Sequence, residues 1–206
     1  SQKIKDNFPF FTLNKNIVGE SHVSKINKIS KFLRKKKSDY LFISAPENVA
    51  WILNIRGGDG PNSPVPNCRL IISKSKKIYF IYRNNKIKEN IEKIIKFKKK
   101  CGEKGFKLYI ANNLNLFKAC QANGLYLSSY NKKYINKKVN LIGSAHNFKE
   151  IYEKIRQGCK TVILSRLFKT SYKHKKNNLG VHKFNLIKKN YLRKNLDNVL
   201  CLTVEQ

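Results

Sequence analysis

One stretch in the second half of the sequence, residues 140 to 173, constrains the fold more than any other. Two short apolar segments, residues 141 to 143 and 161 to 164, lie on either side of a helical pattern. Short apolar runs of this kind are typical of parallel strands that are buried on both faces. The order strand, helix, strand therefore predicts a β/α unit whose helix covers a parallel sheet.

The helix of this unit has a clear start, one apolar side and a clear end. Asn147 is placed to cap its first turn, and Glu150 is placed three residues later to reach back to that turn. Gly158 ends the pattern. The apolar residues at helical spacing predict the face that packs on the sheet, and they are Phe148, Ile151, Tyr152 and Ile155.

Polar residues follow each of the two strands. Ser144 and His146 come after the first strand, and residues 168 to 173 come after the second. In a β/α barrel the loops after the strands share one face, and that face binds ligands. We therefore expect these two loops to converge on a ligand.

The same residues resemble the thiamine-phosphate synthase and thiazole-tautomerase family. The resemblance is carried by residues 142 to 147, the helix end at Gly158, residues 167 to 173 and Leu179-Gly180. Three upstream segments, at 79 to 84, 108 to 113 and 124 to 129, fall where barrel strands two, three and four lie in that family. The resemblance implies a phosphate-binding β/α barrel of thiamine biosynthesis whose partner is a phosphorylated thiazole or pyrimidine.

The resemblance also implies a set of binding residues. After strand two the family holds pyrophosphate with an Arg, and after strand three it places an Asn. The hydroxyl and ammonium groups of the later loops would grip phosphate oxygens. The implied phosphate- and substrate-binding residues are Arg83, Asn112, Ser144, Thr170, Ser171 and Lys173. A rim salt bridge for Arg83, and ordinary loop or turn roles for Ser144, Thr170 and Lys173, remain open.

Mg²⁺ is the cofactor that this family implies, but its two carboxylate ligands are not matched. Asn113 and Asn131 stand where the family has metal-binding Asp residues. Because Mg²⁺ prefers carboxylate oxygens together with phosphate, we expect no cofactor and an incomplete or degenerate enzyme. No catalytic residue and no metal ligand is assigned.

The first part of the chain resembles a different family, aminopeptidase P. The resemblance is carried by Gly19-Glu20-Ser21 with Lys25-Ile26, by residues 45 to 59 and by Pro64-Val65-Pro66. In that family a two-metal site in a later domain cuts the peptide bond before proline. The resemblance implies a non-catalytic, creatinase-like N-terminal region, with Trp51 as a core residue and Arg56 as a donor that anchors a loop.

Together the two resemblances predict an α/β fold. We expect a small mixed α/β unit over residues 1 to 75 and an incomplete (β/α) barrel over residues 76 to 206. Because the resemblances meet at residues 73 to 82, we hypothesise that pieces of two genes are joined there. The absence of Met and the start at Ser1 predict a fragment or processed form, and open strand edges predict self-association.

The composition leaves three function classes open: a thiamine enzyme, a non-catalytic domain related to aminopeptidase P, and a basic nucleic-acid-binding protein. The net charge of +32 would attract nucleic acid or an anionic membrane. The lysines are spread along the whole chain, so we do not expect either partner. With no apolar run long enough for a bilayer, and five cysteines without metal-ligand spacing, we expect a cytoplasmic protein.

Overall fold

The computed structural model describes residues 11–14, 16–58, 63–83, 90–135, 139–165, 178–191 and 196–201. The chain forms two compact units. The first contains residues 1 to 110 and 115 to 122, and the second contains residues 111 to 114 and 123 to 206.

The first unit is a mixed α/β structure. Its elements are β1 (Phe11–Thr12), α1 (His22–Lys35), β2 (Tyr40–Ile43), α2 (Pro46–Leu53), β3 (Ile55–Arg56), β4 (Cys68–Ser73), β5 (Ile78–Tyr82), α3 (Ile91–Glu103), β6 (Phe106–Ala111) and α4 (Leu114–Ala119). Strand β4 lies antiparallel between β2 and β5, and β6 runs parallel to β5. Strands β1 and β3 form a separate antiparallel pair.

The core of the first unit lies between this sheet and its helices. The side chains of β4 and β5 are almost all buried, as expected for strands covered on both faces. Helix α1 begins because the Ser21 side chain accepts a hydrogen bond from the backbone N–H of Ser24 at 3.2 Å. It then turns Ile26 and Leu33, which are seven residues apart, into the core.

The second unit is parallel throughout the strands described. Its elements are β7 (Gly124–Leu127), β8 (Leu141–Ala145), α5 (Phe148–Arg156), β9 (Thr161–Leu164), α6 (Val181–Tyr191) and β10 (Asn198–Cys201). Strand β8 pairs with β7 and β9, and β9 pairs with β10. All five residues of β8 are buried, which confirms the prediction of a strand covered on both faces.

Helix α5 starts as the sequence predicts but buries a different face. Asn147 accepts a hydrogen bond from the backbone N–H of Glu150 at 2.9 Å, and Glu150 reaches back to the backbone N–H of His146 at 2.7 Å. Phe148 and Tyr152, predicted to pack on the sheet, are 40% and 59% exposed. The residues that turn inward are Ile151, Lys154 and Gln157. The expected apolar stripe was therefore wrong for the two aromatic residues.

The predicted α/β fold class is confirmed. A mixed sheet forms the first unit, and parallel strands alternating with helices form the region taken for an incomplete barrel. The domain boundary between residues 75 and 76 stays a prediction, although β5 pairs with β4 and β6 inside the first unit. In the part of the chain that the structure describes, no helix has the length and apolar character needed to cross a bilayer.

Candidate functional site

A buried lysine in the first unit connects two segments that carry the resemblance to aminopeptidase P. The Lys25 Nζ atom donates hydrogen bonds to the Trp51 carbonyl oxygen at 2.6 Å and to Asn54 Oδ1 at 2.7 Å. It also lies 4.0 Å from the centre of the Trp51 ring. Asn54 Nδ2 donates to the Glu20 carbonyl oxygen at 2.8 Å. We call Lys25, Trp51 and Asn54 the Lys25 cluster.

The backbone geometry of helix α2 places this cluster. Pro46 begins the helix, where its missing N–H costs nothing. Asn54 ends it in the left-handed conformation with φ 53°, which Asn adopts more readily than most residues. This turn directs the Asn54 side chain back towards α1, where it meets both Lys25 and the Glu20 carbonyl.

The surroundings of the Lys25 cluster shift the pKa values of two charged groups, Lys25 and Glu20. Burial lowers the pKa of Lys25, and the nearby charge of Glu20 partly opposes that effect. Hydrogen bonds from Ser24 and Lys28 lower the pKa of Glu20. The Lys25 ammonium group lies over one face of the Trp51 indole, where the two attract each other by a cation–π interaction. Trp51 is nevertheless 59% exposed, so its expected role as a core residue was wrong, and much of its ring is available for contact.

A second polar network lies in the second unit around Asn112. Asn112 Oδ1 accepts from the backbone N–H of Ser128 at 3.0 Å and from Asn131 Nδ2 at 3.1 Å. Its Nδ2 donates to Ser128 Oγ and, at 3.1 Å, to the Tyr130 hydroxyl. These four bonds use the full hydrogen-bonding capacity of one amide. A phosphate at Asn112 would have to displace one of these partners.

The same network continues to Lys154, which sequence reasoning did not single out. Lys154 is fully buried, and its Nζ donates to the Asn131 carbonyl oxygen at 2.6 Å and to Gln157 Oε1 at 2.9 Å. Gln157 Nε2 bonds the carbonyl oxygens of Asn131 and Lys133. Burial lowers the pKa of Lys154, and it raises the pKa of the Cys159 thiol to about 12. Helix α5 is thus fastened to the loop after β7 by amide and ammonium donors.

Replacing Lys154 by methionine is expected to change the pH dependence of stability. Because the pKa of Lys154 is lowered in the folded chain, the unfolded chain binds more protons between that pKa and about 10.5. The stability of the wild-type chain relative to Lys154→Met should therefore rise as pH rises through this window. Urea unfolding of both proteins from pH 7 to 10.5 measures the difference.

Lys149→Met is the matched control for this experiment, since Lys149 is exposed on the same helix. The difference from the wild type should change more with pH for Lys154→Met than for this control. An equal pH dependence of the two variants would contradict a lowered pKa at Lys154.

The structure describes three of the six residues predicted to bind phosphate. Arg83 follows β5 in the first unit, where its backbone N–H donates to the Asn67 carbonyl oxygen at 2.9 Å. Asn112 and Ser144 belong to the second unit, and Ser144 is buried within β8. Thr170, Ser171 and Lys173 lie outside the described residues. The convergence of the two loops on phosphate therefore stays a prediction.

The resemblance to aminopeptidase P implies a two-metal site in a later domain of that family. Within the described ranges, no group of three His, Cys, Asp or Glu side chains is placed to hold a metal ion. The described residues therefore do not fit such a centre.

The fold and the Lys25 cluster agree with a match to one protein family. The family model described as the Creatinase/Prolidase N-terminal domain matches residues 2–179. The chain belongs to this family.

Relatives of this chain include Xaa-Pro aminopeptidases. The probable Xaa-Pro aminopeptidase P of Laccaria bicolor (strain S238N-H82 / ATCC MYA-4686) is 32% identical over 71 residues, which are 34% of this chain and 11% of that protein. The chain thus matches only about a tenth of the length of that relative.

Two solved structures resemble parts of this chain. One is the X-prolyl aminopeptidase of Caenorhabditis elegans, with 22% identity, a TM-score of 0.41, and coverage of 58% of this chain and 20% of that chain. The other is the thiamine phosphate pyrophosphorylase of Pyrococcus furiosus, with 11% identity, a TM-score of 0.44, and coverage of 60% and 71%. Likeness at this level carries no functional assignment.

The thiamine-phosphate synthase function predicted from the sequence was wrong. The family match spans residues 2–179, and the curated relatives are Xaa-Pro aminopeptidases. The predicted region of resemblance to the thiamine family lies largely inside that match. The hypothesis that pieces of two genes are joined at residues 73 to 82 stays a prediction, although one family model spans that segment.

Proposed function

We propose that this chain is a non-catalytic domain of an aminopeptidase P-like metallopeptidase. The observation that carries the proposal is the family match over residues 2–179, and the Lys25 cluster supports it. That cluster joins residues 20 to 25 to residues 51 to 54, which lie in two of the segments that carry the resemblance to aminopeptidase P.

The role of such a domain is to present a rigid surface to the peptidase portion. Trp51 is suited to this role because the buried Lys25 ammonium holds one part of its ring while 59% of the side chain stays exposed. Exposed Trp side chains are frequent anchors of protein interfaces. The cleavage of Xaa-Pro bonds would be supplied by the peptidase portion and not by this domain.

A chimera tests this proposal. The corresponding segment of the Caenorhabditis elegans X-prolyl aminopeptidase is deleted in one protein and replaced by this chain in another. Hydrolysis of an Xaa-Pro peptide should be lost on deletion and recovered in part on replacement, whereas this chain alone should give none. Trp51→Ala in the chimera should lower the recovered activity by about tenfold, if its indole is an interface anchor.

Glu47→Ala, an exposed change on the same helix, is the control and should leave the recovered activity unchanged. Hydrolysis by the chain alone, or a folded chimera without activity, would contradict the proposal. We also propose that the protein is located in the cytoplasm. The expectation of no nucleic-acid partner and the expectation of self-association both stay predictions.

A further inference from the structure

An apolar groove in the first unit has no role in the proposed function. Its walls come from five elements that are distant in sequence: β1, β3, α3, β5 and β6, together with the end of α2. The apolar side chains that line it are Phe11, Leu53, Ile55, Phe80, Phe97 and Phe106. The space between these side chains is about 460 Å³ when the solvent at the open mouth is included, so the groove is a shallow site that a ligand would fill only in part.

The groove is organised around aromatic rings. The rings of Phe80 and Phe97 meet edge to face with their centres 5.2 Å apart, an arrangement that aromatic pairs prefer. Phe80 is fully buried at the base, whereas Phe11 is 46% exposed. A further aromatic ring can therefore enter from the solvent side and continue the same type of packing.

Two lysines give the groove its only charges among the described lining residues. Lys100 and Lys104 are four residues apart at the end of α3, so they lie on one side of the helix. The C-terminal end of the helix carries a partial negative charge of about half an elementary charge. The two ammonium groups carry a larger positive charge, so the net charge at this end of the groove is positive. The groove therefore favours a ligand with an apolar body and an anionic end.

Covalent chemistry is not expected in this groove. The thiol of Cys101 also lines it, but burial raises the pKa of this thiol to about 12. The thiol therefore stays protonated near neutral pH and is a poor nucleophile. The groove is suited to reversible binding.

We propose that this groove binds a small aromatic carboxylate, whose ring packs among the phenylalanines and whose carboxylate meets Lys100 and Lys104. The choice of a single carboxylate follows from the lining, whose side-chain donors other than the two lysines are the Thr12 hydroxyl and the weakly donating Cys101 thiol. The site is independent of the aminopeptidase assignment, since it uses other residues than the Lys25 cluster.

The test compares three ligands of equal length on the complete chain. Calorimetry measures the Kd of 3-phenylpropionate, 3-phenylpropan-1-ol and 3-phenylpropylamine. The carboxylate should bind about fivefold more tightly than the alcohol, because two partly exposed ion pairs add modestly to the shared ring contact. The amine should bind least tightly.

Two test variants and one control variant show whether the ligands bind in this groove. The Lys100→Gln/Lys104→Gln protein should lose the preference for the carboxylate, while Lys96→Gln/Lys99→Gln, with the same charge change on exposed positions of the same helix, should keep it. Thr12→Phe, at the exposed rim, should weaken all three ligands. Equal binding of acid and alcohol, an equal effect of both lysine pairs, or no saturable binding would overturn the proposal.

Discussion

Replacing Asn54 by leucine is expected to lower the free energy of unfolding by about 3–5 kcal/mol. The change removes one of the two acceptors described for the buried Lys25 ammonium and the donor to the Glu20 carbonyl oxygen. It also forces a branched apolar residue into a left-handed backbone conformation with φ 53°. The expected effect is large because the lost hydrogen bonds and the backbone strain both act at this one position.

The fluorescence of Trp51 provides a direct measurement of this effect. Trp51 is the only tryptophan in the sequence, and its ring lies against the Lys25 ammonium. Guanidinium unfolding followed by this signal reports on the cluster itself. Asn54→Gly, which removes the side chain but permits the left-handed backbone, should cost about 1–2 kcal/mol less than Asn54→Leu.

Asn48→Leu is the control, because it makes the same chemical change at an exposed position of the same helix. It should alter the unfolding free energy by no more than about 0.5 kcal/mol. If Asn54→Leu were as mild as Asn48→Leu, the Lys25 cluster would not stabilise the first unit.

Local features of the fold could be predicted from the sequence because their causes are local. Asn147 and Glu150 form the start of α5 within one helical turn, and the apolar run before it becomes β8 as expected. The pattern of strand, polar loop and capped helix is shared by many α/β proteins with different activities. For that reason it predicted the fold class and misled the assignment to thiamine biosynthesis.

The face that α5 buries could not be predicted in the same way. By hydropathy, Phe148 and Tyr152 belong inside and Lys154 belongs outside. The structure reverses this order because the carbonyl oxygens of Asn131 and Lys133 require donors, and Lys154 and Gln157 supply them. These acceptors lie more than 20 residues away in the sequence, so helical spacing alone contains no sign of them.

In the candidate site, too, the residues could be recognised from the sequence, whereas their contacts could not. Lys25 and the run from Trp51 to Asp59 were recognised as part of one resemblance, because that run is a dense string of unlike residues. Their contact, with Lys25 Nζ 2.6 Å from the Trp51 carbonyl oxygen, depends on the packing of α1 against α2. The phenylalanine groove was missed entirely, since its lining residues are dispersed from Phe11 to Phe106.

The second large effect is expected from Gly143→Ala, which should lower the free energy of unfolding by about 1–3 kcal/mol. A Cβ atom at this position would lie 3.0 Å from both Cγ and Cδ of Lys154 and 3.1 Å from Cys159 Sγ. Strand β8 is paired on both sides, so its backbone cannot move away. Lys154 cannot easily yield either, because its Nζ is fixed by the Asn131 carbonyl oxygen and Gln157.

Gly102→Ala is the matched control for this substitution. Gly102 lies in the last turn of α3, and a Cβ there would meet no atom within 4 Å. Alanine should therefore stabilise the chain by about 0.5 kcal/mol through its higher helix propensity. The two changes add the same methyl group, so opposite signs in chemical unfolding would isolate the crowding at Gly143.

A double-mutant cycle then identifies the cause of that crowding. In a Cys159→Ala background the sulfur that a new Cβ would meet is gone, so Gly143→Ala should become less costly by about 0.5–2 kcal/mol. A simple sum of the two single effects would contradict this contact as the cause. Coupling of this size would show that Gly143 is required because the buried Cys159 side chain leaves too little room for a Cβ atom at that residue.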